Sequence, residues 1–309
     1  MKNLDQEFLD QLFPMEKVQP DFRGKLLDIL QHDPEFPTFP AAIARIREAM
    51  NRPDASFEEI AKLVKLDPGL TARLFTLVKS AAFAGVEVSN VEDALFRLGL
   101  KETRSAVLAT KFMTSFAHLR VRVDWNKFWL HSLLTARLTQ GIADLFQPVS
   151  DREYLSGLMH DIGKIIVAHY FPDTFEAVLK EARQFGCAMF QAEQRVLGTD
   201  HASVGMALCC RWGLYDEVQQ AILFHHAPEQ PHNAAFITRC LHIADTIANL
   251  ASENIEESRF KPAPPEKIDE FPLWQLLKDY TPRRMINISI EDECAKAQDS
   301  LQVMLTPQS

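Results

Sequence analysis

Residues 155–171 read LSGLMHDIGKIIVAHYF, an apolar stretch in which an imidazole and a carboxylate stand side by side at His160-Asp161. Apolar residues run on both sides of the pair, so the stretch reads as a core helix. Burying either polar group without a partner costs roughly several kcal/mol. A hydrogen-bond network can offset that cost, and so can a metal ion.

The helical period of this stretch is shared by the rest of the chain. AAIARIREAM (41–50), SFEEIAKLVKL (56–66) and LTARLFTLVKSAAF (70–83) carry apolar residues at three- and four-residue spacing. Start signals agree: Ser56 precedes Glu58 and Glu59, and Asp67-Pro68 sets a cap residue before a proline at the first helical position. With only 11 glycines, and almost no alternation bounded by turn dipeptides, the sequence predicts an all-α fold.

The 309 residues suffice for one large domain or two ordinary ones. An apolar share of 47% with 24% charged residues is the profile of a soluble globular chain. No apolar run approaches the roughly 18–20 residues that span a bilayer, and MKNLDQEFLDQLFPMEK has no signal-peptide core. The expectation is therefore a cytoplasmic protein without membrane contact. A net charge of −9 argues against nucleic acid as a partner, since such binding neutralises phosphates with cations. A local basic cleft for a small phosphorylated ligand stays compatible with it. The five cysteines include no CxxC pair and predict neither a disulfide framework nor a zinc ribbon. Adjacent Cys209-Cys210 read as small core residues.

Punctuation divides the chain. Residues 1–20 form an extension. Residues 21–118 form a subdomain of short helices punctuated by FPTFP, DPG, AGVEVSN and RLGLKE. Residues 119–251 form a longer-helix bundle, and residues 252–309 a loop plus C-terminal helices that pack on the core. The stretch 252–271 is polar and Pro-rich, a surface loop ahead of a helical pair, WQLLKDY and IEDECAKAQDSLQVML. No solenoid period repeats.

Histidines cluster in the third part: His131 in FWLHSLLTARL, His160 beside Asp161 in GLMHDIGK, His201 in LGTDHASVG, His225-His226 in AILFHHAPE. Asp245 follows in LHIADTIANL. Each lies in or at the edge of an apolar helical segment and should point inward. Neutral imidazoles are good ligands for divalent metals, and a carboxylate can bridge two ions. About 100° separates Asp161 from His160 on a helix, so both can address one centre with Asp161 reaching a second. Lys164 falls one turn after His160, where an ammonium can meet a phosphate or developing negative charge.

The order His131, His160-Asp161, His201, His225-His226, Asp245 resembles the all-helical HD superfamily of metal-dependent phosphohydrolases. The flanking text is similar to its HDOD branch, a bacterial signalling module. FPTFPAAIARI (36–46), LVKLDPGLTARLFTLVKSAAF (63–83) and VEDALFRLGLKETRSAVL (91–108) resemble the helical segment typical of that branch. The resemblance implies an HD-type helical bundle behind an N-terminal HDOD segment. It also implies a divalent metal cofactor, two ions of iron, manganese or zinc. His131, His160, Asp161 and Asp245 would hold one; Asp161, His201 and His225 the other, with His226 an extra ligand. Lys164 matches the lysine of the HDxxK pattern of catalytic relatives, which with Asp161 makes it a candidate catalytic residue. Enzymes of the HD-GYP branch, which hydrolyse cyclic di-GMP, follow their histidine pair with Gly-Tyr-Pro; here APEQPHNAAF follows His226, which counts against that activity. Lys79 stands where HDOD proteins commonly carry Asn.

Two functions remain open. In one, the protein is a metal-binding but non-catalytic signalling or scaffold module that meets its input and output through partner proteins. In the other, metal-bound hydroxide cleaves a phosphoester of a nucleotide or another substrate. Self-association is open in both. Other residues have plainer readings. His169 suits a helix C-terminus, and His242 is a core histidine or a support for Asp245. His32, His118 and His232 read as loop or surface residues, Trp129 and Trp212 as core. Ser132 has no base nearby and is not a nucleophile.

Overall fold

The computed structural model describes residues 4–33, 36–37, 57–65, 67–80, 88, 90–121, 123–230, 233–252, 264–265 and 267–305. Among them all regular structure is helical. In order these are α1 (Gln6–Leu12), α2 (Pro20–His32), α3 (Phe57–Lys65), α4 (Pro68–Lys79), α5 (Val91–Phe116), α6 (Trp125–Phe146), α7 (Arg152–Met159), α8 (Ile162–Tyr170), α9 (Pro172–Phe185), α10 (Met189–Leu197), α11 (His201–Arg211), α12 (Asp216–Phe224), α13 (Ala235–Ala251) and α14 (Ile290–Leu305). The all-α expectation holds. Among the described residues no helix is long and apolar enough to cross a membrane.

Local chemistry sets many of the helix starts. Asp5, Asp67, Asn90, Asp124 and Asp200 each turn a side-chain oxygen onto a backbone N–H in the first turn that follows. Pro68 follows Asp67 at the first helical position, as the sequence predicts. The segments 41–50 and 81–87, the Ser56 cap, His232 and most of the loop 252–271 lie outside the described residues.

Two expectations change. The core helix over 155–171 is two helices, α7 and α8, separated by His160 and Asp161 as turn residues. WQLLKDY forms no α-helix; its first part belongs to a 3-10 segment, Pro272–Leu277.

Two large apolar clusters, and a small third one at Ala221, Ile237 and Leu241, hold the described residues together. The larger draws on α1, α2, the second half of α5 and the helices from α6 to α14, with Phe13, Phe112, Phe116 and Phe128 fully buried. The smaller unites α3, α4, the first part of α5 and Val303 of α14. Helix α5 bends at Gly99, and the two large clusters meet further along it, at Val107 and Leu108. The N-terminal arm is fastened to the bundle by polar contacts as well. Buried Arg211 donates to the carbonyls of Ile29 (3.1 Å) and Leu30 at the end of α2 and lies 4.6 Å over the Phe36 ring. There it satisfies acceptors that a helix C-terminus leaves open. Trp212, in the core as expected, donates from Nε1 to the Pro37 carbonyl at 2.8 Å.

Helix α6 runs through the middle, against α7, α13 and α14. Glycines permit two tight approaches beside the histidines. A Cβ on Gly157 of α7 would lie 2.5 Å from the Ala136 Cα of α6, and one on Gly163 of α8 2.0 Å from the His201 carbonyl oxygen of α11. These contacts bring His160 to His131 and Asp161 to His201.

Candidate metal centre

Five pieces of chain converge on one buried point: the middle of α6 (His131), the α7–α8 turn (His160, Asp161), the start of α11 (His201), the turn after α12 (His225, His226) and α13 (Asp245). His131, His160, His201 and His225 are 0% exposed and Asp161 2%. Because the helix breaks at His160, that residue and Asp161 enter the site from a turn and not from one helical face.

The groups fall into two lobes on either side of the Asp161 carboxylate. In the first, His131 Nε2 lies 3.2 Å from His160 Nε2 and 3.1 Å from Asp245 Oδ1. His160 Nε2 is 3.4 Å from both Asp245 Oδ1 and Asp161 Oδ2. Ligands about 2.1 Å from a shared ion stand about 3.0–3.4 Å from one another, so His131 Nε2, His160 Nε2 and Asp245 Oδ1 are spaced for one, with Asp161 Oδ2 farther off at 3.7 Å from His131. In the second lobe, His201 Nε2 lies 3.2 Å from Asp161 Oδ1 and 3.0 Å from His226 Nε2, with the His225 ring beside both. The carboxylate of Asp161 thus offers one oxygen to each lobe.

Hydrogen bonds on the outer side fix which nitrogen points inward. His160 Nδ1 donates to the Gly157 carbonyl (2.8 Å) and His225 Nδ1 to the Ile222 carbonyl (2.6 Å). His201 Nδ1 meets Glu193 Oε2 at 2.5 Å. A carbonyl only accepts, so Nδ1 carries the proton and the neutral ring turns its Nε2 lone pair into the cage. Among the described residues, His225 Nε2 is buried there with no hydrogen-bond partner. With the rings neutral, their buried nitrogen lone pairs face the carboxylate oxygens, a set that fits a cation.

The charges agree. Burial opposes the cation at His160, yet Asp161 and Asp245 beside it hold the group up, at about 10. Burial likewise works against His201, and Glu193 and Asp161 together outweigh it, to about 9. Burial, with the cations at His160 and His201, pushes His225 down to about 3; His226 is lowered by burial and by His225 and His201. Burial would raise Asp161 and Asp245, but their histidine neighbours, and Lys164 for Asp161, hold both well below the usual carboxylate range. Protons on His160 and His201 therefore balance the carboxylates in the ion-free cage.

Lys164 is buried, and its Nζ donates to Asp161 Oδ2 at 2.8 Å. His226 is the half-exposed member, its ring stacked on Phe190 at 4.3 Å.

One residue that serves the site, Glu193, escapes a reading of the sequence, and another, His242, supports a different ligand from the one expected. Glu193, 0% exposed in α10, accepts from both the backbone N–H and Nδ1 of His201. His242 donates from Nδ1 to the His225 carbonyl at 2.7 Å, and so supports His225 and not Asp245. His169 bridges to the Arg120 backbone, His32 and His118 lie at the surface, and Ser132 Oγ donates to the Phe128 carbonyl. Lys79 ends α4, exposed, away from the site.

Comparison with known proteins places this geometry. The HDOD domain matches residues 36–228. An HDOD domain protein of unknown function from Geobacter sulfurreducens is 30% identical and superposes with a TM-score of 0.66, covering 78% of this chain and 82% of that one. Two further solved structures share the fold. One, from Shewanella amazonensis SB2B, is named as a candidate phosphohydrolase (21% identity, TM-score 0.65, 91% and 98% covered). The other, from Marinobacter aquaeolei VT8, is named as a candidate signal transduction protein (22%, 0.66, 90% and 60%). An uncharacterized protein of Treponema pallidum (strain Nichols) is 25% identical over 204 residues, 63% of this chain, which spans 39% of that relative's length. Since the domain match takes in more than half of its length, the chain belongs to the HDOD domain family.

Proposed function

We propose that this HDOD protein is a metal-binding, non-catalytic signalling module whose cage holds two divalent ions bridged by Asp161. His131, His160 and Asp245 hold one ion; His201, His225 and His226 hold the other. What carries the reading is the burial of the ligand set, with His225 Nε2 lacking a hydrogen-bond partner. Ions in such a place join five segments of chain and make the fold answer to metal supply. The protein acts in the cytoplasm of a bacterium and reaches its inputs and outputs through partner proteins.

The second reading, a phosphohydrolase, is favoured by one observation: Lys164 is held against the bridging carboxylate inside the cage. When bound, the ions would supply Lewis acidity and an activated water. Lys164 would add positive charge where a phosphoryl group gains negative charge, Asp161 would hold that ammonium in place, and Phe190 over His226 would limit the entry of water.

The deciding experiment is the metal content of protein purified without oxygen or chelators, beside a His160→Ala/Asp161→Ala variant. Near two equivalents in the parent, lost in an equally folded variant, support the cage. Metal absent from both would sink it. A loaded parent that turns over a panel of phosphoesters, with Lys164→Met inactive yet loaded, would replace the first reading by the second.

A further inference from the structure

A cavity of about 270 Å³ opens where α5, α6 and α14 meet, its lining apart from the metal-cage residues. Part of its wall is the guanidinium of Arg137, which donates to Glu102 of α5 (2.8 and 3.2 Å) and to Glu293 of α14 (2.6 Å). The remaining charges largely close among themselves. Glu293 also accepts from Lys296, and Asp144 is held by Arg283 and Arg284. Two groups in the lining stay uncommitted among the described residues: the Lys101 ammonium, next to Glu102, and the Asp292 carboxylate, next to Glu293. Exposed charges are ordinarily just solvated. Here they occupy different helices of a cavity with room for roughly ten non-hydrogen atoms. Gln140 and Asn287 add neutral amides to the lining.

Lys101 and Asp292, the cation and the anion of the lining left without a partner among the described residues, select against a simple anion or cation and for a molecule carrying both signs. We propose that this cavity binds a free amino acid, its carboxylate on Lys101 and its ammonium on Asp292. The ligand would tie α5 to α14 across Arg137, six residues from His131 on the same helix and about 9 Å along it. Occupancy is thereby felt by a helix that supplies the metal cage.

The test is calorimetric titration and thermal shift of the full, metal-loaded chain with the standard amino acids, each also as its carboxamide and its N-acetyl derivative. At least one free amino acid should bind, with both derivatives weaker by roughly tenfold or more. Lys101→Met and Asp292→Asn should each weaken it similarly with metal content unchanged. Absence of binding up to millimolar concentration would overturn the proposal. So would binding that survives both substitutions, or binding lost only in His160→Ala/Asp161→Ala.

Discussion

Glu193 Oε2 takes two hydrogen bonds from a single residue, His201: its backbone N–H at 2.9 Å and its Nδ1–H at 2.5 Å. The carboxylate both fixes the start of α11 and sets the ring so that Nε2 faces the cage. Glu193→Gln keeps an acceptor but not the charge, and metal affinity should fall about 10–100-fold with little change in fold. Glu193→Ala frees the ring, and the protein should retain about one equivalent of metal instead of two. Mass-spectrometric metal analysis of both variants distinguishes these outcomes.

Gly163 has no room for a methyl group, since its Cβ would sit 2.0 Å from the His201 carbonyl oxygen. The three nearest atoms, the His201 carbonyl oxygen and carbon and the Gly205 nitrogen, are all backbone, so relief requires α8 and α11 to separate. Gly163→Ala should therefore cost about 3 kcal/mol or more, beyond ordinary overpacking, and widen the distance from Asp161 to His201. Urea denaturation measures the first effect, and loss of bound metal the second.

Metal must displace protons here. His160 and His201, held at about 10 and 9, are protonated near neutral pH in the ion-free cage. Loading both lobes should release about two protons, and affinity should rise with pH up to that range. Calorimetry in buffers of different ionisation enthalpy counts the protons directly. The sign for stability follows from the same groups. Their folded values lie above the ordinary 6.5, so their contribution is complete below about pH 6.5 and fades as pH rises through 9–10. The ion-free protein should lose stability across that window, and the loaded protein should not.

Arg137 is buried between two carboxylates. Arg137→Ala strands Glu102, leaves Glu293 only Lys296, and should cost about 3 kcal/mol. Glu102→Gln or Glu293→Gln leaves the guanidinium one charged partner and should cost less. Burial would raise the Glu293 carboxyl, but Arg137 and Lys296 hold it below the usual value. Its contribution is present above the ordinary carboxylate range and lost as pH falls through the lowered value, so the acid limb of stability should flatten in Glu293→Gln.

The helical class and the caps at Asp67 and Asp124 depend on near neighbours, which is why periodicity and capping chemistry find the class and the Asp67 start without a structure. The histidines that converge are legible because each interrupts an apolar segment. The break at His160-Asp161 is not legible, since apolar residues continue on both sides and only the close packing of Gly157 and Gly163 shows where the chain turns. Glu193 lies in FQAEQR, a polar run that reads as solvated surface. Its burial is decided by His201, eight residues on, in another helix. Arg137 finds its partners 35 and 156 positions away, beyond the reach of any local pattern.

Arg211 closes the end of α2 from 182 residues further along the chain. During synthesis at about 5–20 residues per second, α2 is complete roughly 9–36 s before its partner leaves the peptidyl-transferase centre. Phe22, Leu26, Leu27 and Leu30, all buried in the finished fold, wait through that interval without their final cover. Docking of the arm through Arg211 therefore cannot be completed before α11 has been made.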